Sequence, residues 1–492
     1  MANSRSPMET AEHLIRRVET ALAKDNEADA AATLKRVGGG ATLTAAASRT
    51  LAALARSIDR NDLALNAIAA GPDSLDARLM AMQLRTETGE AAADELAKLL
   101  GPAPPAGPQL LQLAGSLDME GRAAEAIRLI DAALPMAPDW VAGHQSLAQL
   151  RWQAGDPIPT RSFSEALARI PGHELLWAAW LGTVVRTSDW SLFDRVSTEA
   201  RGRFRASQLI AMVCADGYSE MGRETEADRL FDRLAEVANA DFDAAKMRHA
   251  MRYRRISDAI RLGEQAVATH GGGECWAWLG AAWRLAGDPR SDWFHCGTEL
   301  ISTFDLDFSH DELHALARIL RGLHRASGPP LGQSPRGGTQ TPGPLLKRSE
   351  PEIRKLRRKL RNAVRRYINR LPARDPSHPF LGRPRRAFRF EGAWSIRLLP
   401  GGRHVPHIHS HGWISSALYV DLPEGMADSP GKEGWLQFGV PLLPEAEPQA
   451  EPLKMISPKP GRLALFPSVF WHGTRSFDDG ERLTVAFDVV PR

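Results

Sequence analysis

Cysteine is nearly missing: there are three in 492 residues, Cys214, Cys275 and Cys296, odd in number and widely spaced. That excludes a disulfide framework and a CxxC metal pair, fits a reducing compartment, and leaves all three to be read as buried thiols. An excess of charge is missing too, with 62 Lys and Arg against 59 Asp and Glu for a net +3. Such a balance implies neither an obligate nucleic-acid partner nor an acidic substrate. No run reaches the ~20 uncharged apolar residues that a membrane helix needs, and Met1 to Asn26 has no apolar stretch of signal-peptide length. The expectation is a cytoplasmic protein without membrane contact.

What is present is length and apolar content, 492 residues of which 43% are hydrophobic, too many for one ordinary core and enough for two or three. Residues 11–310 are rich in Ala, Leu and Arg and are spaced as helices broken at Gly or Pro. They also repeat. Gly121-Arg122 with Glu125-Ala126 recurs as Gly222-Arg223 with Glu226-Ala227, an offset of 222 − 121 = 101, close to three steps of about 34. Ala114 and Ala148, and Gly121 and Gly155, each lie one step apart. The fullest unit, Trp276 to Trp283, fits the W-x-x-L-G-x-x-Y opening of a tetratricopeptide repeat with Trp in the Tyr place. The region therefore resembles a tetratricopeptide array, whose stacked helix pairs leave a groove for a protein or peptide partner, or serve as a purely structural or dimerising solenoid.

Ser327 to Pro344 is so rich in Gly and Pro that composition alone predicts a flexible linker. Glu352 to Arg370 predicts a helix with Ile353, Leu356, Leu360, Val364 and Tyr367 on one stripe and cations elsewhere. Such a face suits RNA or anionic lipid, or a helix docked on the following domain. From Phe388 the texture becomes short alternating segments, with strands predicted at 394–399, 412–420, 434–440, 462–466 and 483–489. Several short strands without a helix between them predict a small sandwich or jelly-roll barrel.

Within that barrel, His404, His407, His409 and His411 crowd into eight residues, and His472 returns in Trp-His-Gly-Thr. Imidazole is the commonest ligand for Fe, Zn, Cu and Ni, and strand alternation would put His407, His409 and His411 on one face. Arg482 and Thr484 share a face of a later strand, where a guanidinium fork can clamp a carboxylate, or simply pair with Glu481 or Asp488. Trp394, Trp413, Trp435 and Trp471 read as packing.

The ordered set Trp394-Ser395-Ile396-Arg397, His407-x-His409, Gly412-Trp413-Ile414-Ser415-Ser416, Tyr419-Val420, Leu465 to Ser468, Trp471 to Thr474 and Arg482 to Asp488 resembles the 2-oxoglutarate/Fe(II)-dependent oxygenases that follow tetratricopeptide arrays. The resemblance covers residues 330–492, is strongest after 388, and takes in Gln333 to Thr341, which argues against disorder there. It implies a double-stranded β-helix holding Fe(II), with 2-oxoglutarate chelating the metal and O2 taking the remaining position. His407 and His409 would match the first ligand pair, His472 the distal ligand, Arg482 the anchor of the cosubstrate's far carboxylate with Thr484 assisting, and Tyr419 and Ser416 the pocket. The departure is His409, since the wider superfamily has His-x-Asp or His-x-Glu; the register His409-x-His411 is an alternative, and His404 could support the ligands or touch substrate.

The fold class expected is α+β and multidomain: a tetratricopeptide-like solenoid over 11–310, a connecting region over 311–387 packed on the next domain, and a jelly-roll or cupin-like double-stranded β-helix over 388–492. Two further readings stand beside the oxygenase: a cupin-like binder of another metal, and a catalytically silent interaction scaffold. The substrate would be set by loops such as 421–434 and 440–460.

Overall fold

The structure is a computed structural model that describes residues 10–24, 26–38, 43–444 and 451–492, so part of the 440–460 loop and of the first 26 residues lies outside them. Antiparallel helix pairs follow one another from Ala11–Ala23 to Arg290–His295. The recurring glycines end the first helix of a pair: Gly121, Gly155 and Gly222 have φ of 81°, 81° and 86°, a left-handed conformation that other residues reach only at a cost of about 1 kcal/mol. The repeat period is thus a period of helix stops. Cys214 and Cys275 are buried as expected, whereas Cys296 is only half-buried, where a left-handed residue ends the helix Arg290–His295.

The chain then enters two antiparallel sheets. Among the described residues nine strands form them: β1 Ser302–Asp305, β2 Pro335–Gln340, β3 Phe388–His404, β4 Ile414–Asp421, β5 Leu436–Phe438, β6 Lys454–Ile456, β7 Arg462–Pro467, β8 His472–Thr474 and β9 Arg482–Pro491. One sheet runs β1-β7-β4-β9-β3-β2 and the other β6-β5-β8. Phe438 and Phe466 meet between them with ring centroids 4.8 Å apart. The five predicted strands correspond to β3, β4, β5, β7 and β9.

Four strands fall outside those five: β1, β2, β6 and β8. β1 has only four residues, too few for alternation to register, yet Phe304 is buried opposite Leu463. β2 lies inside the supposed linker and pairs with β3, Thr339 opposite Arg397 and Gln340 opposite Ile396. Its glycines serve close approach rather than flexibility, since a Cβ on Gly338 would lie 2.2 Å from the Arg397 carbonyl oxygen.

The helix Pro351–Arg370 buries the predicted stripe, Ile353, Leu356, Leu360, Val364 and Tyr367. Two of its cations reach the array, while Lys355 and Lys359 pair with Glu312. Arg361 reaches Glu27 and Asp59, each at 2.9 Å, and Arg357 donates to the Asp59 carbonyl at 3.1 Å. Further on, Lys347 pairs with Glu87 at 3.1 Å, Trp152 Nε1 donates to the Pro329 carbonyl at 3.1 Å, and the Gln149 side chain accepts from the Leu331 amide at 3.0 Å. These contacts follow the turns along one edge of the array, so the sheets are fastened to that edge. At the last pairs the contact becomes apolar, and one core of buried side chains runs from the helix Gly273–Ala286 through Pro351–Arg370 into both sheets.

Candidate metal centre

β8 starts at His472, and an isolated antiparallel bridge joins it to His407, with His407 N to His472 O at 2.9 Å and the reverse bond at 3.0 Å. The pairing sets the two rings 4.1 Å apart, and His409 lies 5.2 Å from each. One ligand atom from each of the three imidazoles falls within 4.8 Å of the others. The tautomers suit a cation. His407 Nδ1 is 2.8 Å from the Val405 carbonyl and His472 Nδ1 is 2.9 Å from that of Phe470; a carbonyl only accepts, so both Nδ1 carry the proton. His409 Nδ1 lies 2.6 and 2.7 Å from the two oxygens of Asp488, which fixes the same tautomer. In all three rings Nε2 is the nitrogen left to meet a cation. Burial, reinforced by the neighbouring histidines, pushes His407 down to about 3 and His472 well below the ordinary imidazole value, so these rings are neutral donors near pH 7.

The structure does not bring His411 into this cluster. The chain turns at Ser410 and His411, closed by the Gly412 amide on the His409 carbonyl at 3.1 Å, and the turn carries His411 out to solvent. Strict alternation fails because extension ends at His409. His404 stays close, its ring 5.7 Å from that of His407, and Ser334 Oγ bridges the two, 2.9 Å from His404 Nδ1 and 3.2 Å from His407 Nε2.

Arg482 opens β9 and is only 2% exposed. Both acids that could have neutralised it are engaged elsewhere: Glu481 with Arg321 at 2.7 Å and with Arg397, and Asp488 with His409. Arg482 Nε has no partner, and its guanidinium carbon sits 5.1 Å from the centroid of Tyr419, whose hydroxyl lies near it without a hydrogen bond of ordinary geometry. A buried cation without a carboxylate is costly and calls for an anion from outside. Thr484 follows two residues on, opposite Tyr419 across the β4–β9 ladder. Ser416 borders the same cavity, but its hydroxyl is committed to β9, donating to the Phe487 carbonyl and accepting from the Phe487 amide, both at 2.9 Å.

The three histidines, His404, Ser416, Arg482 and Thr484 line a cavity of about 450 Å³ with Trp394, Ile396, Ala417 and Leu436 among its walls, whereas Tyr419 stands behind Arg482 and outside that lining. The three imidazoles fit a divalent transition metal, and the orphaned Arg482 fits a carboxylate beside it. Sequence reasoning gave Asp488 no part at the metal, although alternation places 482, 484, 486 and 488 on one face of β9, all bordering the cavity. It also gave none to Ser334, for which only the resemblance of Gln333 to Thr341 was a signal. Trp413 and Trp471 are buried as packing residues, and Trp435 donates to the Met426 carbonyl at 3.2 Å.

A family model described as "Putative 2OG-Fe(II) oxygenase" matches residues 392–488. None of the curated proteins matches the chain. Solved structures similar to it include HygX from Streptomyces hygroscopicus with nickel, 2-oxoglutarate and hygromycin B bound, 16% identical over 41% of this chain and 87% of that one, TM-score 0.28. A prolyl-4-hydroxylase from Pseudomonas putida is 18% identical over 40% of this chain and 96% of that one, TM-score 0.26. A tetratricopeptide repeat protein from Parabacteroides merdae is 13% identical over 53% of this chain and 93% of that one, TM-score 0.28.

Proposed function

We propose that this chain, which carries a 2OG-Fe(II) oxygenase domain over residues 392–488, is an Fe(II)- and 2-oxoglutarate-dependent oxygenase of the hydroxylase type. Its helical array supports that domain and takes part in recruiting a protein or peptide. The observation that carries the reading is the convergence of three imidazoles in one cavity with a buried guanidinium that has no acid of its own.

In this reading His407, His409 and His472 hold the iron. Iron with 2-oxoglutarate and O2 supplies an oxidant for a C–H bond, the cosubstrate leaving as succinate and CO2. Every other part is played by side chains. Arg482 binds the far carboxylate of the cosubstrate, and Thr484 adds a hydroxyl on the same face. Tyr419 backs the guanidinium with its ring. Asp488 keeps the proton on His409 Nδ1 and so aims Nε2 inward, while Ile396, Ala417 and Leu436 keep water from the reacting side.

The test is succinate release from 2-oxoglutarate by protein reconstituted with iron, with iron and cosubstrate binding measured alongside. Failure to bind iron together with no turnover would overturn the reading. Three imidazole ligands also suit Zn, Ni or Cu, which favours as second reading a cupin-like binder of another metal. Metal analysis of protein purified without added ions separates the two: zinc or nickel at one per chain, without affinity for 2-oxoglutarate, would select the second.

A further inference from the structure

The metal cavity does not end at its own walls. It shares Gln340 and Trp394 with a second cavity of about 340 Å³, and that one shares Asp118, Gln153 and Pro342 with a third of about 170 Å³. The three form a trough that starts at the imidazoles, passes over β2 and reaches the array edge at the helices Pro108–Met119 and Val141–Gln153. A small metabolite would need only the first compartment.

Several polar groups along this path are unspent. The side-chain amides of Gln333, Gln340 and Gln153 make no hydrogen bond within the protein among the described residues. A primary amide donates and accepts as a peptide group does, so three of them in line suit an extended main chain. Asp118, which borders both outer compartments, makes no ion pair and no side-chain hydrogen bond among the described residues, although it is half-buried. Desolvation pushes its carboxyl up, a penalty that an arriving cation would remove. Besides Arg482 and Asp488 in the metal cavity, the charged groups facing the path are Glu391, paired with Arg389, and Arg325, whose Nε donates to the Gly322 carbonyl at 3.2 Å at the outer end. Arg325 repels a cation placed beyond Asp118 and so confines it to the inner side. The trough is also firm, since the Ser327 amide donates to the Gln153 carbonyl at 2.9 Å and holds its outer wall to the array.

We propose that this trough binds an extended polypeptide carrying a lysine or arginine side chain, with the cation at Asp118 and the chain leading into the metal cavity. The proposal rests on the oxygenase reading only for which end of the bound chain would react. The array thereby becomes one wall of the substrate site.

The experiment uses the full chain and positional-scanning decapeptide mixtures labelled with fluorescein, one position fixed as Lys, Gln or Glu and the others randomised. Anisotropy is read without added metal. At one position Lys is expected to bind at least tenfold more tightly than Glu. Asp118→Asn should erase that preference and Asp118→Lys should invert it, with circular dichroism unchanged. No positional preference for a basic residue, no peptide binding at all, or a preference that survives both substitutions would overturn the proposal. Failure of the iron reading would leave this readout intact, because no step of it uses a metal.

Discussion

Asp488 stands directly behind His409, its two oxygens 2.6 and 2.7 Å from Nδ1, so the negative charge that the proposed ligand set lacks lies one residue farther out. Ser415 Oγ donates to the same carboxylate at 2.6 Å and fixes its position. A carboxylate hydrogen-bonded to a ligating imidazole raises its basicity and locks its orientation, which offsets part of what is lost when histidine replaces aspartate at the metal.

Asp488→Asn should therefore weaken metal binding by about 10- to 100-fold. Titration calorimetry with Co(II) or Fe(II) measures this, and the melting temperature of the metal-free protein reports whether the fold is intact. Moving the charge inward, with His409→Asp added to Asp488→Asn, should bring the affinity back to within about tenfold of the wild type. Unchanged metal affinity in the single variant would mean that Asp488 only packs.

Arg482 offers a sharper separation of binding from stability. Arg482→Met should raise the dissociation constant for 2-oxoglutarate by about 100-fold or more, the loss of charge-assisted bonds worth about 3 kcal/mol. The same change removes a buried cation that has no acid, so the metal-free protein should melt no lower than the wild type and gain up to about 2 kcal/mol. A variant that binds 2-oxoglutarate as tightly as the wild type would remove Arg482 from the site.

The pH dependence of stability is set in part by two histidines outside the triad. Burial pushes His295 and His324 down to about 4, below the ~6.5 of an unfolded chain. Below 6.5 the unfolded chain binds more protons than the folded one, so stability falls with pH across the window from about 6.5 to about 4. His324, whose ring nitrogens lie 2.8 Å from Thr339 Oγ1 and 3.1 Å from Ser395 Oγ, is the simpler to test. His324→Gln should flatten the slope of denaturation free energy against pH by about one proton in that window, read from urea titrations at several pH values.

The edge contact between array and sheets also carries a measurable load. Arg361 joins Glu27 and Asp59, with side-chain exposures of 17%, 18% and 8%, so removing the guanidinium takes from Asp59 its ion pair and leaves Glu27 with Arg492. Arg361→Ala should cost about 1–3 kcal/mol and open the array edge to limited proteolysis before global unfolding. Simultaneous Asp59→Asn should recover part of that loss.

Much of this architecture was legible because its signals are local. Alternation from Phe388 onward announced five strands, the stripe from Ile353 to Tyr367 announced a buried helix face, and the period of about 34 placed the helix-stopping glycines. The neighbours His407 and His409 and the distant His472 were singled out as types and spacings, and an isolated bridge between β8 and the segment after β3 assembles them. What stayed hidden depends on partners far along the chain. β1 and β2 are strands only because β7 and β3 lie beside them, and Gly337-Gly338 reads as linker until a facing backbone requires the space. Likewise, Asp488 could have paired with Arg482 by proximity in sequence, but the fold gives it to His409.

Trp471 precedes a triad histidine directly and is pinned to the last long hairpin of the array, its Nε1 on the Ala277 carbonyl at 3.1 Å and its ring 4.5 Å from that of Trp278. The helical superstructure and the imidazole cluster are therefore mechanically in series. A tug on the helix Gly273–Ala286, from whatever clasps the outside of the array, arrives one peptide unit away from His472, which makes the distal histidine the point where such a force would be felt first.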